Sequence, residues 1–223
     1  MSILSPNRDV PGVMVDPLSP EAEPIRVLRT GVRFAGVGRP LRTILISSDR
    51  PDTGKSTIAA NLAVSFANVG ERVLLVDADL RRPSQSDIFR VNSPTGLSTM
   101  LVEGGNLIDH VVSGTHQGLD LLPSGPLPPN PSELLSGQHV QSAVAQMAIE
   151  YETVIIDSPP TLMAAEAAIL ASLVDGVIFV VDLKRSRRRD VFAALDLLDR
   201  AGARVIGSCV NRYGRVQRAT AYY

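Results

Sequence analysis

The chain has 223 residues, a formal net charge of −1 and one cysteine, Cys209. That is one full domain with short extensions, and it excludes a strongly basic nucleic-acid binder, a disulfide framework and a cysteine-rich metal site. With 44% hydrophobic and 20% charged residues, no signal-peptide pattern at the start and no apolar run near the roughly 20 residues of a membrane span, a soluble cytoplasmic globular protein is expected.

Residues 1–18 carry three prolines and no periodicity, and read as an extended N-terminal arm. From Ser19-Pro20, with Ile25, Leu28 and Val32 at helical spacing, a helix is expected up to Gly36. A βα alternation follows. Leu41–Ser47 reads as a strand, Lys55–Val69 as a helix closed by Gly70, and Arg72–Val76 as a continuous apolar strand. Residues 84–117 are less regular, with short helices expected near 96–103 and 106–112. Leu119–Leu122 is a short strand, 123–131 a Pro/Gly loop, and Ser132 opens a helix. Val154–Ile156 (strand), Met163–Leu173 (helix), Val177–Asp182 (strand), Arg188–Ala201 (helix) and Arg204–Val210 (strand) complete the domain, 19–210. Residues 211–223 read as a polar, flexible tail. Strands without polar alternation, separated by helices, mean an α/β fold: a mostly parallel central sheet covered by helices on both faces. Ligands of such sheets sit beyond the carboxyl ends of the strands.

Three motifs fall at those ends. The first, Asp52-Thr53-Gly54-Lys55-Ser56-Thr57, follows a strand and opens a helix, the context of a phosphate-binding loop. Backbone N–H groups and the helix dipole receive the phosphates. Lys55 neutralises the outer phosphate oxygens, and the Ser56 hydroxyl suits Mg²⁺. Asp49 stands where the strict pattern has glycine, and Asp52 adds a negative charge beside an anion site. The second is Asp77-Ala78-Asp79-Leu80-Arg81-Arg82: two carboxylates two residues apart at a strand end, suited to holding Mg²⁺ or taking a proton. The third is Ile155-Ile156-Asp157, an apolar strand ending in a carboxylate, the second magnesium element of such NTPases. Together they make a P-loop NTPase.

Two further elements complete a pattern. They are Pro126-Leu127-Pro128-Pro129-Asn130-Pro131-Ser132-Glu133-Leu134-Leu135 and Glu23-Pro24-Ile25-Arg26-Val27-Leu28-Arg29, an E-x-x-R-x-x-R spacing. With the three motifs, the chain resembles the bacterial tyrosine kinases of capsule and exopolysaccharide systems, which share the fold of MinD/ParA-type ATPases. The resemblance runs from about Ser19 to Asn211. It implies ATP and Mg²⁺, with Lys55 on the phosphates, Ser56, Asp79 and Asp157 around the metal, Asp77 as the base for a tyrosine proton, Arg81 and Arg82 on the transferring phosphate, and Asn211 at the adenine. It implies autophosphorylation of the tail, where three of the four tyrosines lie: Tyr222 and Tyr223, and less readily Tyr213. Glu23, Arg26 and Arg29, within one arc of a helix, would be subunit contacts in a ring. The implied partners are a membrane-bound activator, which would recruit the protein to the inner face of the membrane, and a cognate tyrosine phosphatase; no nucleic acid is expected. Rival readings are a MinD/ParA-like ATPase switch, or a nucleotide-binding regulatory subunit without turnover, which Asp49 and Asp52 keep open. The run Lys184–Arg189 reads as a solvated loop or an anion-binding one. His110, His116 and His139 show no metal spacing and read as surface residues, and Glu166 as part of an ordinary packed helix.

Overall fold

The computed structural model describes residues 19–212. The expected N-terminal arm and Tyr213, Tyr222 and Tyr223 lie outside them. In chain order come α1 (Glu23–Ala35), β1 (Thr43–Ser48), α2 (Lys55–Ala67), β2 (Val73–Asp77), α3 (Gln85–Phe89), α4 (Leu97–Glu103), β3 (Val112–His116) and β4 (Leu119–Leu122). Then follow α5 (Pro131–Ser136), α6 (Gln138–Glu150), β5 (Thr153–Asp157), α7 (Ala165–Leu173), β6 (Gly176–Asp182), α8 (Arg188–Arg200) and β7 (Val205–Asn211).

The seven strands form one sheet in the order β3-β4-β2-β5-β1-β6-β7, parallel throughout except for β3 against β4. Every residue of β1, β2 and β5 is buried, because helices cover both faces and leave no polar side. Alternation divides the core. Leu45, Leu74 and Val76 face one layer, with α4 to α8; Ile44, Ile46, Val73 and Leu75 face the other, with α1 to α3. Each fully buried aliphatic side chain of this kind contributes about 1.5–3 kcal/mol. Ala59, Ala60 and Ala63 are fully buried in α2, and such small side chains let a helix lie close to a sheet.

Three expectations are corrected. The segment 106–112 is not a helix: a single 3₁₀ turn, Leu107–Asp109, leads into β3, an antiparallel edge strand. Its polar sequence, Val-Ser-Gly-Thr-His, forms a strand only because β4 offers a partner. The helix expected from Ser132 is two helices, since Gly137 between them is extended (φ −66°, ψ 158°). His110 is buried, with its ring 3.5 Å from Thr99 Oγ1.

Candidate nucleotide site

Register aligns the motifs. Asp77 and Ile46 both stand level with Asp157, so β2 and β5 end together and β1 runs two residues further on the same side. Between β1 and α2 the chain turns through Asp52 (φ 58°) and Gly54 (φ 89°), both left-handed. Gly54 immediately precedes α2, whose first backbone amides have no partner within the helix. A Cβ on Gly54 would strike the Asn211 amide. A cavity of about 620 Å³ opens here, lined by Pro51, Asp52 and Gly54 to Thr57 of the loop, by Asp79, Arg81, Arg82 and Ser84, and by Pro159, Pro160, Met163 and Arg212.

Lys55 is nearly buried, with Nζ 3.1 Å from Asp79 Oδ2 and 3.3 Å from Asp157 Oδ1. Burial pulls its pKa down, but the charges of Asp157 and Asp79 outweigh that and raise it above 10.5. It also donates to Ser56 Oγ at 3.1 Å. Asp77 lies beneath the cavity rather than on its wall and is fully buried. Its Oδ2 accepts the backbone N–H groups of Ser84 and Gln85, at 2.9 and 2.8 Å, while Oδ1 has no partner. Burial, then the charge of Asp157, push the Asp77 carboxyl up to about 7, against those two hydrogen bonds. Asp79 accepts the Arg82 N–H at 3.0 Å.

Three buried carboxylates thus face one ammonium. With all three ionised the cluster carries a formal charge of −2, which a divalent cation would balance. Ser56, Asp79 and Asp157 supply hard oxygens of the kind Mg²⁺ takes. Among the described residues no three carboxylate, imidazole or thiol groups converge as a ready-made cage; Lys55 stands between Asp79 and Asp157. The set therefore fits a cation that arrives with phosphates, held by one or two carboxylates.

The two aspartates of the loop behave differently. Asp49 is buried, with Oδ1 accepting Ser186 Oγ at 2.7 Å. Asp52 is 76% exposed, 3.7 Å from Arg185. The Arg50 guanidinium also donates to the Arg185 carbonyl at 2.6 Å, so the basic run is anchored on the phosphate loop. Asn211 Nδ2 donates to the Thr53 carbonyl at 2.8 Å, and its Oδ1 accepts the Arg212 N–H. Both ends of that amide are engaged within the chain, holding the loop. Arg212 pairs with the buried Asp182. Backbone and guanidinium contacts hold the Asp182 carboxyl below its usual value despite burial.

Glu23 opens α1 and pairs with Arg26. Arg29 reaches across to α2, donating to the Ser65 carbonyl at 2.6 Å and to Ser65 Oγ at 3.1 Å. Within one chain, then, Arg29 ties α1 to α2.

Three residues escape a reading by motif. Glu166 on α7 is buried, and its Oε1 takes both Nε and Nη2 of Arg81 at 2.9 Å. Its surroundings are not those of an ordinary packed helix. Gln85 bridges Ser56 and Asp157. Arg212 completes the cavity wall. Only chain positions far apart in sequence reveal them; the proline after Arg82 is the one local hint that the chain turns back toward Asp77.

Comparison with known proteins agrees with this geometry. A protein-family profile described as an AAA domain matches residues 41–192. The tyrosine-protein kinase YwqD of Bacillus subtilis is 37% identical over 198 residues, 89% of this chain and 84% of that protein. The structure of the kinase domain of the Escherichia coli tyrosine kinase ETK superposes with a TM-score of 0.87 at 30% identity, covering 100% of this chain and 88% of the other. The septum site-determining protein MinD of Pyrococcus horikoshii, complexed with Mg-ADP, superposes with a TM-score of 0.68 at 26% identity, over 79% and 72% of the two chains.

Proposed function

This chain belongs to the bacterial tyrosine kinases, P-loop enzymes with the MinD-like fold, and from that premise we propose that it phosphorylates tyrosines in the C-terminal tail of a neighbouring copy of itself. The observation that carries the reading is the buried carboxylate cluster around Lys55, beneath a cavity built on a phosphate loop. The loop from Asp52 to Thr57 cradles the nucleotide phosphates, with Lys55 leaving Asp79 and Asp157 to neutralise the outer ones. Ser56, Asp79 and Asp157 would hold Mg²⁺. When bound, that cation neutralises charge on the phosphates and orients the γ-phosphoryl group.

Asp77 takes the phenolic proton on Oδ1, the oxygen that has no partner. The phenolic oxygen forms its bond to the γ-phosphorus as the β–γ bridge breaks, and ADP leaves. Because Asp77 is fully buried, the proton reaches it through a bridging water or an outward movement of the 79–84 turn. Arg81 and Arg82 stabilise the charge on the moving group. Asn211, by holding the phosphate loop, shapes the nucleotide pocket near the base.

The tail tyrosines, Tyr222 and Tyr223 first and Tyr213 second, are the substrate. β7 ends on the phosphate loop and Arg212 lines the cavity, so the tail starts at the cavity rim. Transfer takes place to a neighbouring subunit's tail in a ring in which Glu23, Arg26 and Arg29 remake their pairings across the interface. No helix of the described residues is long and apolar enough to cross a membrane, and a membrane-bound activator recruits the kinase through a cytoplasmic segment. A tyrosine phosphatase reverses the modification, and the cycle regulates capsular or exopolysaccharide polymerisation and export.

Mass spectrometry of the protein incubated with Mg-ATP, against Lys55→Met and with or without the activator's cytoplasmic segment, tests this. Phosphate on Tyr222 or Tyr223 in the wild type alone is expected. ATP hydrolysis without phosphotyrosine would replace the reading with an ATPase switch. Bound nucleotide without turnover would replace it with a regulatory subunit.

A further inference from the structure

Gln85 opens α3 and is fully buried. Its amide nitrogen donates to Asp157 Oδ2 at 2.8 Å and to the Ser56 carbonyl at 3.1 Å. Both neighbours are acceptors, so the nitrogen, not the oxygen, must face them. The backbone N–H of Gln85 donates to Asp77 Oδ2 at 2.8 Å. One residue thus touches the first turn of α2, the end of β2 and the end of β5. The other oxygen of Asp157 accepts from Lys55 at 3.3 Å, so the carboxylate is held from both sides.

Packing alone does not account for an amide here. Its Oε1 is buried without a partner, and an unsatisfied buried carbonyl is unfavourable. Methionine would span the same length without that cost.

We propose that Gln85 is a positioning residue for the divalent cation that accompanies the nucleotide. It fixes the Asp157 carboxylate relative to the turn that carries Ser56, and so sets the spacing of two cation ligands. This rests on the reading of Ser56 and Asp157 as those ligands. Partners that orient a ligand from outside the coordination sphere typically alter metal affinity about 10- to 100-fold when removed.

The test uses Gln85→Met, which keeps the length and removes the donor, and Gln85→Glu, which sets a carboxylate against Asp157. Binding of mant-ADP is followed by fluorescence in EDTA and across a Mg²⁺ titration, and Mn²⁺ binding to the ADP complex by electron paramagnetic resonance. For Gln85→Met, affinity in EDTA stays within about twofold of wild type, while the gain on adding Mg²⁺ falls about tenfold or more and Mn²⁺ binding weakens in step. Gln85→Glu loses at least as much of the Mg²⁺ gain. Should Gln85→Met fail to fold, Gln85→Asn, too short to span both acceptors, carries the same comparison. An unchanged Mg²⁺ gain overturns the proposal, and so does an equal loss with and without Mg²⁺, which would make Gln85 a packing residue. A wild type with no Mg²⁺ gain at all overturns both the proposal and the ligand reading beneath it.

Discussion

Replacing Lys55 with methionine takes the ammonium out of a buried carboxylate cluster. The side chains of Lys55, Asp79 and Asp157 are 8%, 6% and 0% exposed, with the two ion pairs at 3.1 and 3.3 Å. Removing one partner of a buried pair costs about 3–5 kcal/mol, because the remaining charge stays buried. Here part of that is offset: Asp157 keeps the Gln85 amide and Asp79 keeps the Arg82 N–H. We expect about 3 kcal/mol, the lower end of that range. For a domain of this size that is a fall of about 6–12 °C in Tm. The sign with pH follows from Asp77, which is raised to about 7 in the fold. A carboxyl raised on folding supports stability fully below its unfolded value and loses that support as pH rises through its folded one. Lys55 is one of the influences that lower the Asp77 pKa, so its loss raises that pKa further. The variant's deficit should therefore be larger near about pH 7.5 than near about pH 5.5, where Asp77 holds its proton in both proteins. Circular dichroism melts without nucleotide, in EDTA, at both pH values measure it. Equal Tm values near neutrality, or a deficit indifferent to pH, would refute the reasoning.

Gly54→Ala forces a side chain into a left-handed position (φ 89°) and displaces the Asn211 amide; nucleotide affinity in a fluorescence titration should fall about tenfold or more. Gly96→Ala drives a Cβ onto the Pro123 carbonyl and the Gly125 backbone, neither of which is a flexible side chain, and should cost about 3 kcal/mol in a urea melt. Asp52→Gly relieves a left-handed non-glycine residue (φ 58°) and removes an exposed charge from the cavity rim. Stability should change by less than about 1 kcal/mol, since strain relief and chain entropy oppose each other, while nucleotide binds a few-fold more tightly at low salt and not at high salt. Glu166→Gln removes the buried charge that holds Arg81; phosphotransfer should slow about tenfold with Tm nearly unchanged, because the freed guanidinium, 49% exposed, is hydrated.

The alternation of strand and helix, the phosphate loop and the strand-end carboxylates Asp77, Asp79 and Asp157 were legible in the chain itself. Each is a local event: an apolar run of five or six residues, a glycine at a forced turn, a carboxylate where the strand stops. Even the convergence of the motifs followed, since parallel strands must end on the same side. What the sequence could not show depends on partners far along the chain. Gln85 meets Asp157 across 72 residues, Arg81 meets Glu166 across 85, and Ser186 meets Asp49 across 137. None of these pairs has a spacing or a periodicity to announce it. The polar strand β3 was missed for the same reason, because its partner β4, not its composition, makes it a strand. Arg29, which local spacing placed on one arc of a helix with Glu23 and Arg26, is held by Ser65 on α2. Local chemistry named the charged groups gathered at the strand ends, and long-range packing decided which side chains hold them in place.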